Sequence, residues 1–261
     1  MQKLSVTVIT RNEAANIAAA LESVSWADEI VVVDSESTDD TVAIARRFTS
    51  RVVVRPWSGY IEQKNHAASL AANEWILSLD ADERVTPELA EEIKATLSAS
   101  PVTCEAFRMP RVTWHLGRWI RSTDWYPDHQ LRLYDRGRAQ WVGRYVHEAV
   151  DVNGTTGDLQ HELQHFPFRD IADHLETIDR YTTLAARQMH ERGRRARLID
   201  LVAQPPLAFL RNYIAKGGAA EGAPGAIIST MNAYYVFLKF AKLWELQANP
   251  NPEPGSRNPE P

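Results

Sequence analysis

Trp75-Ile76-Leu77-Ser78-Leu79-Asp80-Ala81-Asp82-Glu83 joins an apolar run of strand length to three acids within four positions. The run lacks the polar alternation of a half-exposed strand, so it reads as a strand covered on both faces, as in parallel sheets. Thr86 and Pro87 then supply the cap and first-turn proline of a helix that carries Leu89, Ile93 and Leu97 on one face. The same alternation precedes it. Residues 4–9 form a β-branched apolar strand, after which Asn12 can cap a helix with Ile17, Leu21 and Val24 at helical spacing. Residues 30–33 form a second strand. Residues 39–48 read as a helix with acids in its first turn and Arg46 and Arg47 in its last, as the helix dipole favours, and residues 51–55 as a third strand. Strands and helices in this order predict an α/β domain wound around a mostly parallel sheet.

Beyond it the pattern changes. From about residue 105 to 158 the chain is aromatic-rich, with Trp114, Trp119, Trp125 and Trp141 among charged residues. Helical periodicity returns at residues 170–192, 207–216 and 227–246, and residues 249–261 hold five of the 14 prolines with no apolar anchor. The 261 residues therefore suit one large domain with an appendage. A formal net charge of −5 argues against a general nucleic-acid binder, which needs excess Lys and Arg to neutralise phosphates. The average hides segregation: residues 187–216 carry seven basic residues against two acids. Cys104 is the only cysteine, which excludes an internal disulfide and a Cys-based zinc site and points to a reducing compartment. No secretion signal is expected at the N-terminus. The charge-free stretch 222–238 falls short of the ~20 apolar residues of a spanning helix.

In open parallel sheets, ligands bind beyond the carboxyl ends of the strands. Glu13, Asp34, Asp80 and Asp82 fall there. Two carboxylates one residue apart repel unless compensated, and hard oxygen ligands suit Mg²⁺ or Mn²⁺ shared with substrate phosphates. A different metal motif, His161-Glu162-Leu163-Gln164-His165, matches the H-E-x-x-H string of zinc peptidases, which requires both histidines on one helix. Gly154, Gly157 and Pro167 around it argue against such a helix.

Thr10-Arg11-Asn12-Glu13, Val33-Asp34-Ser35-Glu36-Ser37-Thr38-Asp39-Asp40-Thr41 and Leu79-Asp80-Ala81-Asp82-Glu83 resemble, in order and spacing, the nucleotide-sugar-binding half of family 2 glycosyltransferases with the GT-A fold. Gly59-Tyr60-x-x-Gln63-Lys64-Asn65, Trp125-Tyr126-Pro127-Asp128-x-Gln130-x-Arg132-Leu133, Val146-His147-Glu148 and Lys239-x-x-x-Leu243-Trp244-Glu245 extend the resemblance to the branch with lipopolysaccharide inner-core β-glucosyltransferases. It implies a Rossmann-like, mostly parallel sheet flanked by helices, with a C-terminal helical extension. The expected division is a GT-A domain at 1–168, with a nucleotide-sugar half at 1–100 and an acceptor half at 101–168. A helical extension at 169–247 and a disordered tail at 248–261 would follow.

The resemblance also implies roles. Thr10 and Glu13 would line the uridine and ribose site, and Asp34 would accept the uracil N–H. Gln63, Lys64 or Asn65 would contact the nucleotide, with Lys64 its charge partner. Asp80 and Asp82 would face the ribose and the metal, with Asp82 the direct ligand, and His165 would lie near the metal and diphosphate. Inverting transfer needs a base for the acceptor hydroxyl, for which the chain offers Asp128 and Glu148, Asp128 being favoured by the Gln130-x-Arg132 that follows. Arg132 would support the diphosphate or the acceptor. Trp125 and Tyr126 suit stacking on a sugar ring. The second motif carries Glu36 and Asp40 where family members often have glycine, which bears on the shape of that loop. The implied reaction moves a hexose, glucose first, from a UDP-sugar to a lipopolysaccharide core heptose, with Mg²⁺ or Mn²⁺. Another polysaccharide or glycolipid acceptor, or a non-catalytic nucleotide-sugar-binding module, would share the nucleotide site. The basic stretch beside Pro205-Pro206-Leu207-Ala208-Phe209-Leu210 resembles a surface that lies on anionic lipid. The expected location is cytoplasmic, peripheral on the inner face of the cytoplasmic membrane.

Overall fold

The computed structural model describes residues 2–144 and 147–249, with only the backbone described at Arg144 and His147. Val146 of the motif quoted above and the expected tail from Pro250 onward lie outside the described residues. The chain forms two compact units, one made of residues up to Trp114 with Pro127–Pro167, the other of His115–Tyr126 with the chain from Phe168 onward.

The first unit runs β1 (Leu4–Thr10), α1 (Ile17–Ser23), β2 (Glu29–Asp34), α2 (Thr41–Ala45), β3 (Val52–Val54), α3 (Tyr60–Leu70), β4 (Trp75–Asp80), β5 (Glu83–Val85), α4 (Pro87–Ser98) and β6 (Ala106–His115). After β7 (Arg118–Ile120) in the other unit, it resumes with β8 (Asp128–Asp135), β9 (Ala139–Arg144), β10 (His147–Val152), β11 (Thr156–Asp158) and β12 (Leu163–His165). The sheet order is β3-β2-β1-β4-β8-β6-β12-β5. β1 pairs in parallel with β2 and β4, and β2 with β3. β8 enters antiparallel between β4 and β6, while among the described residues β9 and β10 pair only with each other. Leu4, Val6 and Val8 bury one face of β1 against Ile17, Leu21, Leu77, Leu89 and Ile93. On the opposite face Ile76, Ala106, Tyr134 and Trp141 pack with Ala68 and Ala71 of α3 and its end. Burial of such side chains, worth about 1.5–3 kcal/mol each, explains the continuous apolar runs that mark the strands.

The predicted start of α4 is present: Thr86 Oγ1 accepts from Leu89 N at 3.2 Å, with Pro87 in the first turn. Two other helices are shorter than their sequence pattern. Asn12 does not cap α1, which begins at Ile17; it adopts φ +55° and its Oδ1 accepts from Thr38 N at 2.8 Å. Asp39 is likewise outside α2, because its carboxylate accepts from Ala14 N at 3.1 Å and Thr41 N at 3.0 Å. These polar bridges tie the loop after β1 to the loop after β2, and short-range polar capping of this kind outcompetes helix propensity. Glu36 holds φ +58°, so the loop keeps the left-handed turn that a glycine would adopt without strain. The H-E-x-x-H string is not helical: Leu163–His165 is β12, and His161 Nδ1 lies 2.8 Å from Glu92.

The second unit holds α5 (Ile171–Glu191), α6 (Leu198–Val202), α7 (Gln204–Leu210), a π-helical turn at Arg211–Ala215 and α8 (Ala223–Ala248). Asp170 caps α5 by accepting from Asp173 N at 2.9 Å. Ala186, Ala196, Phe240 and Leu243 form its apolar core, and Lys242 Nζ of α8 reaches Asp179 of α5 at 2.7 Å. His115 and His174 are buried against Trp125 and Phe168, with His174 Nδ1 3.2 Å from His115 Nε2. Trp125 is thereby committed to this aromatic cluster. No helix among the described residues is long and apolar enough to cross a membrane.

Candidate active site

The carboxyl ends of β1, β2 and β4 place three of the expected residues side by side. Thr10 pairs in register with Asp34, and Ile9 with Asp80. Asp34 is fully buried, and its carboxylate accepts from Ser37 N at 2.8 Å and from Ser37 Oγ, so it shapes its own loop. Gln63, also fully buried, donates from Nε2 to Ser35 Oγ at 2.9 Å and accepts at Oε1 from Ser58 Oγ at 3.2 Å. Thr10 Oγ1 is buried without a partner among the described residues. Glu13 Oε2 accepts from Asn16 Nδ2 at 2.9 Å. Asn65 is bound to the backbone of Trp141, donating at 2.9 Å and accepting at 3.0 Å, which docks α3 on β9.

Next to these lies a chain of alternating charge. Lys64 Nζ, on a side chain only 2% exposed, is 2.9 Å from Glu148 Oε1 and 3.1 Å from Asp80 Oδ1, and lies 4.2 Å from the centre of the Trp141 ring. Arg132 Nη2 bridges Asp80 Oδ2 at 2.5 Å and Glu83 Oε1 at 2.7 Å. The same Glu83 oxygen accepts from Arg111 Nη1 at 2.9 Å, and Arg111 reaches Asp128 Oδ2 through Nη2 at 2.6 Å and Nε at 2.9 Å. Gln130 Nε2 donates to Asp128 Oδ1 at 2.7 Å. Glu148 and Asp128, the two carboxylates that could serve as base, are thus the two ends of one ionic chain. Beside it, Asp82 Oδ2 lies 3.3 Å from His165 Nε2, and His165 Nδ1 lies 3.3 Å from Thr113 Oγ1.

Burial alone would raise the acids, but here the partners win. Asp80 resists burial and is held far below the usual carboxylate range by the charges of Arg132 and Lys64. Asp82, partly buried with 24% of its side chain exposed, is likewise lowered, by the charge and hydrogen bond of His165. Arg132 is held protonated against burial by Asp80 and Glu83. Burial pushes the Tyr134 hydroxyl, which accepts from Trp141 Nε1, up to about 12. Asp80, Asp82, Glu83, Asp128 and Glu148 outnumber Lys64, Arg111 and Arg132 by two, and by one with His165 protonated, so the site is formally short of positive charge. Glu148 Oε2 and Arg132 Nε are also buried without partners among the described residues. Among those residues no three His, Cys, Asp or Glu side chains converge as a metal cage. One carboxylate and one imidazole, Asp82 and His165, fit a divalent cation that takes its remaining ligands from phosphate and water.

The structure brings Lys64, Asp80, Glu148, Arg132 and Asp128 into one network, sets Asp82 against His165, and leaves Asn65 in a docking role. Sequence reasoning missed Glu83, Arg111 and Trp141 as members. Glu83 was visible as the third acid of the quoted stretch; Arg111 and Trp141 carry no local signal, because strand pairing alone delivers them.

A sequence model of Glycosyl transferase family 2 matches residues 5–154, more than half of the chain. The lipopolysaccharide core biosynthesis glycosyltransferase LpsC of Rhizobium meliloti (strain 1021) is 33% identical over 258 residues, covering 95% of both chains. An uncharacterized glycosyltransferase of Rickettsia felis (strain ATCC VR-1525 / URRWXCal2) is 32% identical, covering 94% of this chain and 90% of its own. Among solved structures, glucosyl-3-phosphoglycerate synthase from Mycobacterium tuberculosis in complex with Mg²⁺ and uridine diphosphate matches 42% of this chain and 44% of its own, with 23% identity and a TM-score of 0.37. The α/β sheet flanked by helices is the expected GT-A arrangement, followed in sequence by a helical extension. The chain belongs to glycosyl transferase family 2.

Proposed function

We propose that this glycosyltransferase moves a hexose, glucose first, from a UDP-sugar to a heptose of a lipopolysaccharide core or a similar glycolipid, with inversion and with Mg²⁺ or Mn²⁺. The observation that carries the reading is the ionic chain from Glu148 to Asp128 at the carboxyl ends of the parallel strands, in which four carboxylates face three cations. The similarity to an enzyme named for lipopolysaccharide core biosynthesis supports the acceptor. Residues 1–100 bind the donor and 101–168 the acceptor, and residues 169–247 are the extension. Thr10, Glu13, Asp34 and Gln63 line the nucleoside, and Lys64 and Asp80 set the floor beneath the diphosphate.

Asp128 takes the acceptor hydroxyl proton as the oxygen bonds to the anomeric carbon, and the bond to the diphosphate breaks with its electron pair leaving on UDP. Arg111 and Gln130 fix the Asp128 carboxylate for that transfer. Arg132 offers its unpartnered Nε to the developing charge. Asp82 and His165 would hold a divalent cation, which when bound would supply positive charge to the departing diphosphate. Such an acceptor places the enzyme in the cytoplasm, peripheral on the inner membrane face.

Isothermal titration tests the reading. UDP should bind more tightly with Mn²⁺ or Mg²⁺, and Asp82→Ala should weaken the metal-dependent binding by about tenfold or more. UDP binding indifferent to both would remove the metal assignment, and a panel of UDP-sugars with no metal-dependent hydrolysis would remove the donor class.

A further inference from the structure

Helices α6 and α7 turn most of their apolar side chains outward. The only buried residue of α6 is Asp200, and α7 buries none. Leu201 packs on the core of the unit, but six other large aliphatic side chains of α6, α7 and the π-helical turn face solvent: Leu198 is 75% exposed, Ile199 57%, Val202 64%, Leu207 58%, Leu210 48% and Ile214 67%. Leu207, Leu210 and Ile214 follow at spacings of three and four, and so share one side of the helical run. The run is firmly seated within its unit. Asp200 accepts from Arg197 N at 3.0 Å, Asn212 is fully buried, and Phe209 and Tyr213 stack at 5.3 Å. Six exposed aliphatic side chains gathered within 17 residues of chain and held in this way mark a surface that is covered in use.

The charge around the patch identifies the cover. Around it lie Arg194, Arg195, Arg197, Arg211 and Lys216, against the buried Asp200 and Asp124, which pairs with Arg211 at 2.8 Å, so the cations stay in excess. All five cations are exposed. A second copy docking through the same patch would set this basic rim against itself, since a two-fold contact pairs like with like. Aliphatic side chains ringed by Arg and Lys match the boundary between acyl chains and anionic headgroups.

We propose that α6, α7 and the π-helical turn dock on the surface of an anionic lipid bilayer, with Leu198, Ile199, Val202, Leu207, Leu210 and Ile214 entering the interface and the basic rim meeting the headgroups. The inference names the surface behind the membrane setting proposed above, and donor binding does not enter its test.

The full chain is floated with vesicles of phosphatidylcholine alone and of equimolar phosphatidylcholine and phosphatidylglycerol, at low and high salt. Binding is expected on the anionic vesicles, weakened by salt. The double variant Leu198→Asp/Ile214→Asp, altered only at exposed positions, should partition at least about tenfold more weakly, and Arg195→Glu about fivefold or more. Binding that ignores lipid charge, or that survives the double variant, overturns the proposal. So does the absence of binding. A dimer in light scattering that the double variant turns into a monomer would assign the face to a second copy instead. UDP titrations on the same variants should match the unaltered chain, so failure of the lipid surface and failure of the donor reading are separable.

Discussion

Glu83→Gln removes one charge from the centre of the ionic chain at almost constant volume. Glu83 is fully buried; its Oε1 accepts from Arg111 and Arg132, and its Oε2 accepts from Asp80 N at 3.1 Å. Each charge-assisted bond is worth about 1.5–3 kcal/mol, and breaking one partner out of a buried pair costs about 3–5 kcal/mol. Both guanidiniums keep a second carboxylate, Asp128 for Arg111 and Asp80 for Arg132, so the lower end applies. The expected loss is about 3 kcal/mol, a fall of roughly 6–12 °C in the melting transition at 2–4 °C per kcal/mol for a chain of this size. Urea melts followed by circular dichroism measure it. The partner variant Arg111→Met closes a double-mutant cycle in which a coupling of about 1–3 kcal/mol is expected. In transfer assays kcat should fall more than KM rises, because Arg111, which orients Asp128, loses the carboxylate that fixes its other end. A stability loss under about 1 kcal/mol, or no coupling to Arg111, would refute the view of Glu83 as the node of the network.

Asp128→Asn should abolish sugar transfer, by about a hundredfold or more, while UDP affinity stays near that of the unaltered chain; loss of turnover in Glu148→Gln alone would reverse the assignment of the base. Burial, reinforced by the charge of His115, lowers His174 from 6.5 to about 4. The unfolded chain therefore takes up this proton below about pH 6.5 and the folded chain only below about pH 4, so stability falls as pH drops through that window. Allowing for partial solvent screening, the loss between pH 7 and 5 is about 1–2 kcal/mol, and His174→Gln should flatten it in urea melts at the two pH values. An unchanged slope in the variant would show that this histidine is not the titrating group.

The parts of this molecule legible in sequence are those governed by local rules. The buried parallel strands announced themselves as apolar runs, Thr86-Pro87 as a helix start, and Asp34 and Asp80 as acids at strand ends, because each depends on neighbours within a few positions. Helix starts at Asn12 and Asp39 misled because those side chains bind across to the neighbouring loop, to Thr38 and Ala14. Arg111 and Trp141 joined the site through pairing between distant strands, and no spacing along the chain records that. Lys64, by contrast, was legible in type but not in degree: nothing in Gln63-Lys64-Asn65 says that the ammonium is 2% exposed between two carboxylates.

Strand β8 carries one residue more than its pairing with β6 uses. Phe107 faces Leu133 and Arg108 faces Leu131, which leaves Arg132 opposite no residue. Such a bulge reverses the phase of the strand, and the packing agrees: Tyr134 and Leu131, an odd three residues apart, join the same apolar cluster. Arg132 is therefore a joint between two frames of alternation, one locked to β4 by the core and one locked to β6 by the Arg111–Asp128 pair. A strand without the joint would carry its register, and every substitution error with it, from end to end. With it, residues 128–131 keep their register on β6 independently of the register in which residues 133–135 hold β4.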